Sequence, residues 1–280
     1  MRLFLLTALT MLAFAANSVL NRMALEGGET GPASFAAIRL TAGAAMLALL
    51  AARRSGGLAW RTGYAGPLAL AVYVLGFSFA YVSLEAGVGA LILFGGVQVT
   101  MFAGALITRE AVPAQRWLGA CVSFTGLAYL MWPGAGAAPD PVGAALMAAA
   151  ALGWGVYSLI GRGAHDPLGA TAANFLWAML PGLAIWLIRP DGADATGAML
   201  AILSGAVTSG LGYALWYHVL PGLGAARAAV AQLTVPVIAI LGGMALLGEA
   251  LSLRVALASL LVLGGVALAN YGFTRRSSGS

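Results

Sequence analysis

Four residues set inside apolar runs carry the most chemistry: Phe14 and Asn17 in LAFAANSVLNR (12–22), and Trp154 and Tyr157 in LGWGVYSLIGR (152–162). Laid over each other, the two stretches put Phe14 on Trp154, Asn17 on Tyr157, Ser18 on Ser158 and Arg22 on Arg162. In each, a ring is followed three residues later by a neutral hydrogen-bonding group, so both point from one helical face. Groups of this kind bind. A ring stacks on an apolar side chain or faces an ammonium group, and an amide or phenol orients a polar end. Tyr73, Phe77, Thr208 and Ser209 are of the same kind, and Phe77 and Tyr81 share a face at i, i+4. The candidate binding set is Phe14, Asn17, Tyr81, Gln98, Trp154, Tyr157, Trp177, Tyr213 and Gln232. It suits a small zwitterion with an apolar side chain, such as a neutral or aromatic amino acid.

Arg39 is the one arginine inside an apolar run. An ionised group at that depth is costly and is read first as functional. Two roles stay open: contact with a substrate carboxylate, or a structural role on backbone carbonyls. Pro236, between Gln232 and Gly242, marks a candidate hinge or gate, because proline removes a backbone donor. No Asp or Glu lies inside a run, so an exchange of protons against substrate on a membrane carboxylate has no carrier. Passage down a gradient is then the simpler expectation.

Catalysis has little to work with. His165 and His218 belong to no Ser–His, paired-Asp or HExxH arrangement. Cys121 is the single cysteine, so no disulfide framework or metal cluster is expected, and no cofactor. The GxG fragments lie in apolar runs with no strand before them, which removes the phosphate-loop reading.

These side chains need apolar helices to hold them. The chain is 61% hydrophobic and 8% charged, against about 25% charge in a soluble domain. That is too little charge to cover a water-facing surface, and a multi-pass membrane protein follows. Ten segments reach spanning length: 3–22, 33–52, 63–84, 88–108, 113–132, 140–161, 168–188, 197–219, 223–247 and 251–273. Short Gly-, Pro- and charge-rich links join them, among them EGGETGP and RPDGADATG. With lipid unable to satisfy backbone groups, the spans must be helices. The apolar N-terminus is read as the first span, not a signal peptide, because it has a counterpart in the second half.

All fourteen basic residues are arginine. With ten spans, ten of them fall on the side of the termini and three on the other: Arg22, Arg189 and Arg254. Both termini are therefore expected in the cytoplasm of a bacterial inner membrane. Glu26, Glu29, Glu85, Asp140, Asp191, Asp194 and Glu249 fall on the opposite side. The arginines form no basic stripe with interleaved aromatics, so nucleic acid is not the partner. A monomer in the bilayer is expected.

The two opening stretches are not the only matched pair. YVSLEAGVGA (81–90) pairs with YHVLPGLGAA (217–226), and apolar runs stop alike at Glu110 and Glu249. The shift is about half the chain, which gives two five-helix units, 1–134 and 139–274. Five is odd, so the second unit inserts upside down. Inverted repeats of this kind mark alternating-access carriers, with a site near the midplane.

The halves resemble the EamA-type unit of the drug/metabolite transporter superfamily. The likeness is carried by NSVLNR and YSLIGR, by FAAIRL (35–40), by LTVPVIAILGGMALLGE (233–249) and by its weaker counterpart GGVQVTMFAGALITRE (95–110). It covers essentially the whole chain and lies mainly in order and spacing. The resemblance implies an all-α membrane protein of ten helices, two inverted repeats, a central cavity and a peripheral fifth helix in each half. Within the family the chain most resembles the YddG-type amino-acid exporters, which implies export of amino acids. Organic cations or sugar phosphates are the alternative cargo. Two departures stand out: Gln98 where the second half has Pro236, and Asn174 where the first has Arg39.

Overall fold

The computed structural model describes residues 1–54, 63–107, 109, 112–132, 138–161 and 165–276, with backbone alone at 217, 220–221, 224–230 and 270–276. Glu110, Arg162 and the side chain of Tyr217, used in the repeat alignment, lie outside that description. The described residues are helical, without strands. The helices are α1 (Arg2–Leu25), α2 (Pro32–Ala52), α3 (Ala65–Ala80), α4 (Ala86–Ile107), α5 (Ala114–Met131), α6 (Pro141–Gly161), α7 (Pro167–Ile188), α8 (Ala195–Ile202), α9 (Gly212–Gln232), α10 (Thr234–Leu247) and α11 (Leu253–Arg276). Six stretches are long and apolar enough to cross a bilayer: α1, α2, α4, α6, α7 and Ala195–Trp216. Large apolar side chains such as Phe4, Leu9, Leu152, Leu187 and Leu260 point outward, as lipid-facing ones should.

Two features depart from the sequence expectation. A π-helical stretch, Leu203–Leu211, joins α8 to α9. Its sequence LSGAVTSGL is rich in small and hydroxylated residues, and a π turn is a frequent mark of a functional site. In addition, helical backbone continues through the expected turn at 220–222 as far as Gln232, and the break falls at Leu233. Pro236 therefore sits in the first turn of α10, where its missing N–H has no intrahelical partner to lose. Gly242 faces α1 so closely that a Cβ there would stand 2.8 Å from Val19 Cγ2. Close packing against α1 is one demand the fold makes of that glycine.

The helices pair in a definite pattern. α3 and α4 lie on α6; the α8–α9 stretch and α10 lie on α1; α2 pairs with α7, α4 with α10, and α5 with α11. Small residues let these backbones approach. A Cβ on Gly153 would meet the Ala69 carbonyl of α3 at 2.7 Å, and one on Gly205 would run into the Arg39 carbonyl of α2. Ser123 of α5 donates to the Val262 carbonyl of α11 at 3.0 Å.

Candidate functional site

The bundle's interior holds a linked set of rings. Tyr81 meets Phe77 edge-on with centroids 4.7 Å apart, Phe77 lies 5.4 Å from Tyr73, and Tyr73 lies 4.9 Å from Trp154. Trp154 in turn lies 5.2 Å from Tyr213, which meets Phe14 edge-on at 5.7 Å. These are favourable offset and T-shaped distances. The rings come from α3, α6, α9 and α1, so no single helix builds the set. Between them is a void lined by Phe14, Asn17, Ser18, Tyr73, Phe77, Leu93, Phe94, Trp154 and Tyr213. It has room for water but not for a metabolite. The structure is thus closed at this point, and a solute would enter only after helices separate. Neither α5 nor α11 contributes a lining residue.

Asn17 is the polar centre of the void's wall. Its Oδ1 accepts from Ser204 (2.8 Å), Thr208 (2.5 Å) and Ser209 (3.4 Å). All three donors lie on the π-helical stretch, where a wider turn carries residues four and five apart onto one face. The Asn17 Nδ2 has only a long contact, 3.5 Å, to the Ala13 carbonyl.

Arg39 stands one layer behind the void. It is 0% exposed. Its guanidinium lies 4.9 Å from the Phe77 centroid and 5.5 Å from that of Tyr73. Nη2 donates to the Tyr73 hydroxyl at 3.2 Å and to Ser209 Oγ at 3.3 Å, and Nε donates to Ser209 at 3.4 Å. Nη1 has no hydrogen-bond partner. Among the described residues no carboxylate pairs with Arg39; the ion pairs are Arg22–Glu26, Arg22–Glu249 and Arg54–Asp166.

Of the candidate binding set, Phe14, Asn17, Trp154 and Tyr213 come together on the void. Tyr157 sits just behind, its ring 5.6 Å from Trp154 and its hydroxyl 3.4 Å from Thr171 Oγ1. Tyr81 closes one end, donating to the Ala86 carbonyl at 3.2 Å. The others lie elsewhere. Gln98 lines a separate groove between α4, α5 and α11, beside Arg116 and Ser123. Trp177 is 49% exposed on the outer side of α7. Gln232 ends α9 and does not line the void. Asn174, the counterpart of Arg39, packs where α3 begins: a Cβ on Gly66 would meet its Oδ1 at 2.7 Å. Sequence reading missed Ser18, Phe94 and Ser204. Ser18 has the weakest signal, being a small residue beside Asn17. Ser204 lies four residues before Thr208, on one face of any helix, so the spacing could have found it; what the π turn adds is Ser209, which a regular helix would turn away.

At the end of the bundle next to Tyr81, charged groups tie helices together. The Glu249 side chain, 9% exposed, accepts from the Ala86 N–H at 2.7 Å and stands 3.8 Å from Arg22 Nε. Arg22 Nη1 donates to the Tyr81 and Val82 carbonyls at 3.2 and 3.1 Å, covering groups that α3 leaves unpaired where it stops. Burial pushes the Glu249 carboxyl up; the Ala86 N–H, and beyond it Arg22, pull it back down, while nearby Glu85 adds to the rise.

Comparison with known proteins gives four relationships. Residues 141–271 match the EamA-like transporter family. The chain is 50% identical over 273 residues to an uncharacterized protein of Pseudomonas aeruginosa, covering 95% of this chain and 94% of that one. It is 25% identical over 209 residues to an uncharacterized transporter of Archaeoglobus fulgidus, covering 72% and 74% respectively. Among solved structures, one protein 20% identical superposes with a TM-score of 0.66 over 93% of this chain and 96% of its own, which shows a shared fold.

Proposed function

The chain belongs to the EamA-like transporter family of the drug/metabolite transporter superfamily, and from that premise we propose that it carries neutral and aromatic amino acids through the central void by alternating access. Membership makes it a multi-pass carrier of small molecules. The cargo, the direction and the mechanism are our reading. The observation that carries it is the meeting of Phe14, Asn17, Tyr73, Trp154 and Tyr213 on one void from helices of both halves. Rings for an apolar side chain and an amide for a polar end are what a neutral amino acid requires.

The alternating part rests on the repeat, 1–134 and 139–274. The pairing pattern supports it, because exchanging the halves returns the same pattern: α3 on α6 becomes the α8–α9 stretch on α1, and α4 on α6 becomes α10 on α1. The remaining pairs, α2 with α7, α4 with α10 and α5 with α11, join like with like. Such a pseudo-twofold places a site near the midplane and lets one half rock on the other. With no acid inside a span, we read the transport as facilitated diffusion, in the export direction, by a monomer in a bacterial inner membrane with both termini in the cytoplasm.

The test is flux into proteoliposomes with no pH or sodium gradient, using aromatic amino acids, Met, Thr, a cationic dye and a sugar phosphate. Uptake of amino acids is expected. Trp154→Ala should cut it about tenfold, the equivalent of the ~1.5 kcal/mol an aromatic contact contributes. Flux of the dye or the sugar phosphate with no amino-acid flux would overturn the cargo.

A further inference from the structure

Arg39 presents a charge that the fold does not balance. It is fully buried in α2, its partners are two neutral hydroxyls and two ring faces, and one guanidinium nitrogen has no partner. Hydroxyls and rings cradle a cation without neutralising it. The charge is also well placed to be felt in the void. Tyr73 and Phe77, the rings it rests on, both line that space, and Ser209 links it to Asn17, which lines it as well. In a dry interior a charge one side chain away is weakly screened.

Two further details set the sign of what can bind. Tyr73 and Phe77 each already have a cation over one face, and a second cation on the void side would be repelled by it. The hydroxyls of Ser204, Thr208 and Ser209 converge on Asn17 Oδ1, which leaves the Asn17 amide N–H, with its single long contact, as a donor at the void's wall. A donor backed by a positive charge receives an anionic end.

Resting on the amino-acid reading above, we propose that Arg39 sets the substrate class of the site: it takes solutes with a carboxylate, that end directed toward α2 and the π-helical stretch, and rejects organic cations of the same size. Arg39 acts here as a specificity-determining residue through its field. It is not required to touch the solute in the closed structure.

The experiment is counterflow of labelled L-phenylalanine in proteoliposomes, competed by 3-phenylpropionate, which keeps the carboxylate alone, and by 2-phenylethylamine, which keeps the ammonium alone. The acid should compete at least about tenfold better than the amine, since like charges brought together in a dry site are strongly disfavoured. Equal competition, or a better amine, overturns the proposal. This wild-type series needs no variant that might misfold. Arg39→Lys should keep the preference for the acid, and folded Arg39→Met should lose it; a preference unchanged in Arg39→Met also overturns the proposal. Should the protein move a sugar phosphate and no amino acid, the amino-acid reading and the carboxylate fall together, and only the preference for an anion over a cation survives, to be read from loss of that flux in folded Arg39→Met. Should it move a cationic dye, the role of Arg39 falls.

Discussion

The two ends of the bundle use their carboxylates differently. At the acid-rich end every described interaction of a carboxylate with another segment is at a helix terminus or a turn. Asp191 accepts from the N–H groups of Ala33 and Ser34, each at 2.9 Å, at the start of α2. Asp194 caps α8 through the Gly197 N–H at 3.0 Å and takes the Thr30 hydroxyl at 2.5 Å. Asp140 accepts from the Gly143 N–H at 2.7 Å and from Ser83 at 2.8 Å, and Glu249 holds the start of α4. Anions at helix N-termini satisfy orphan donors and complement the helix dipole. Asp191 and Glu249 come from a different segment than the helix they cap, and Asp194 and Asp140 each take a hydroxyl of another segment, so the caps also fasten the segments to one another. At the Arg-rich end, the one described ion pair is Arg54–Asp166, at 3.3 Å with both side chains more than half exposed. Among the described residues, then, one end carries several buried or capping ties and the other one exposed ion pair.

Breaking the fastened end should have the largest effect, and Arg22→Ala is the sharpest way to do it. The change strips the Tyr81 and Val82 carbonyls of their donor and leaves Glu249 without its counter-charge. Hydrogen bonds to a charged donor contribute about 1.5–3 kcal/mol, so the shut state should weaken by roughly 2 kcal/mol. The reporter is a Ser18→Cys thiol at the void, in a Cys121→Ser background. It should react faster with a membrane-impermeant reagent added at the acid-rich face. Unchanged reactivity would mean that this end is not what keeps the void closed.

How much of this could be read from the residues differs by element. The membrane class and the helical spans follow from composition and hydropathy, which act locally. Phe14, Asn17 and Trp154 were legible because the repeat places them alike in two helices. Trp177 and Gln98 were not separable from them, since an aromatic or an amide in an apolar run looks the same whether it faces lipid, a side groove or the centre. That choice is made by helix rotation, which depends on the glycines that set each close approach, such as Gly153 against α3 and Gly205 against α2. The π turn was invisible for a related reason: its hydroxyls are explained by partners on α1 and α2, far away in sequence. The carboxylate caps were legible only as acids in links, because their partners are backbone N–H groups.

A milder break is Asp194→Ala. It removes the side-chain cap of α8 and the tie to Thr30. The Thr30 hydroxyl, and then the Gly197 N–H, hold the Asp194 carboxyl below its usual value, and the Gly143 N–H with Ser83 does the same for Asp140. With folded values depressed, both groups contribute stability that is present above their ordinary value of 3.8 and is lost as pH falls through the depressed one. Thermal unfolding in detergent should show a lower midpoint for Asp194→Ala at neutral pH, with the gap closing on strong acidification. A gap that persists in acid would locate the effect in packing instead of charge.

Glu249 runs with the opposite sign and a smaller size. Its value in the shut end is raised above the ordinary 4.5, chiefly by burial. An open mouth would wet the carboxyl and return it toward 4.5. Protons therefore bind the shut state more tightly, and acidifying that face should favour it. Flux should fall as the pH at that face drops through the raised value. Glu249→Gln keeps an oxygen for the Ala86 N–H and removes the titration, so its flux should be low and flat with pH. A variant that still follows pH would move the sensor to another group.

The smallest effect belongs to Arg54→Ala, and the comparison depends on its being small. The pair it removes is as close as many strong ones, 3.3 Å, but its side chains are 59% and 52% exposed. Water screens such a pair, salt screens it further, and ordering two side chains offsets most of the attraction, so exposed pairs contribute about 0–1 kcal/mol. Moreover, α2 and α7 do not need it. Gly43 lets the Phe175 ring lie against the α2 backbone, and Gly182 admits Leu40 from the other side. Arg54→Ala should leave the unfolding midpoint, the flux and the Ser18→Cys reactivity near those of the parent, even at low salt. If it instead matched Arg22→Ala, distance and not burial would be governing these ties, and the two ends would be held alike.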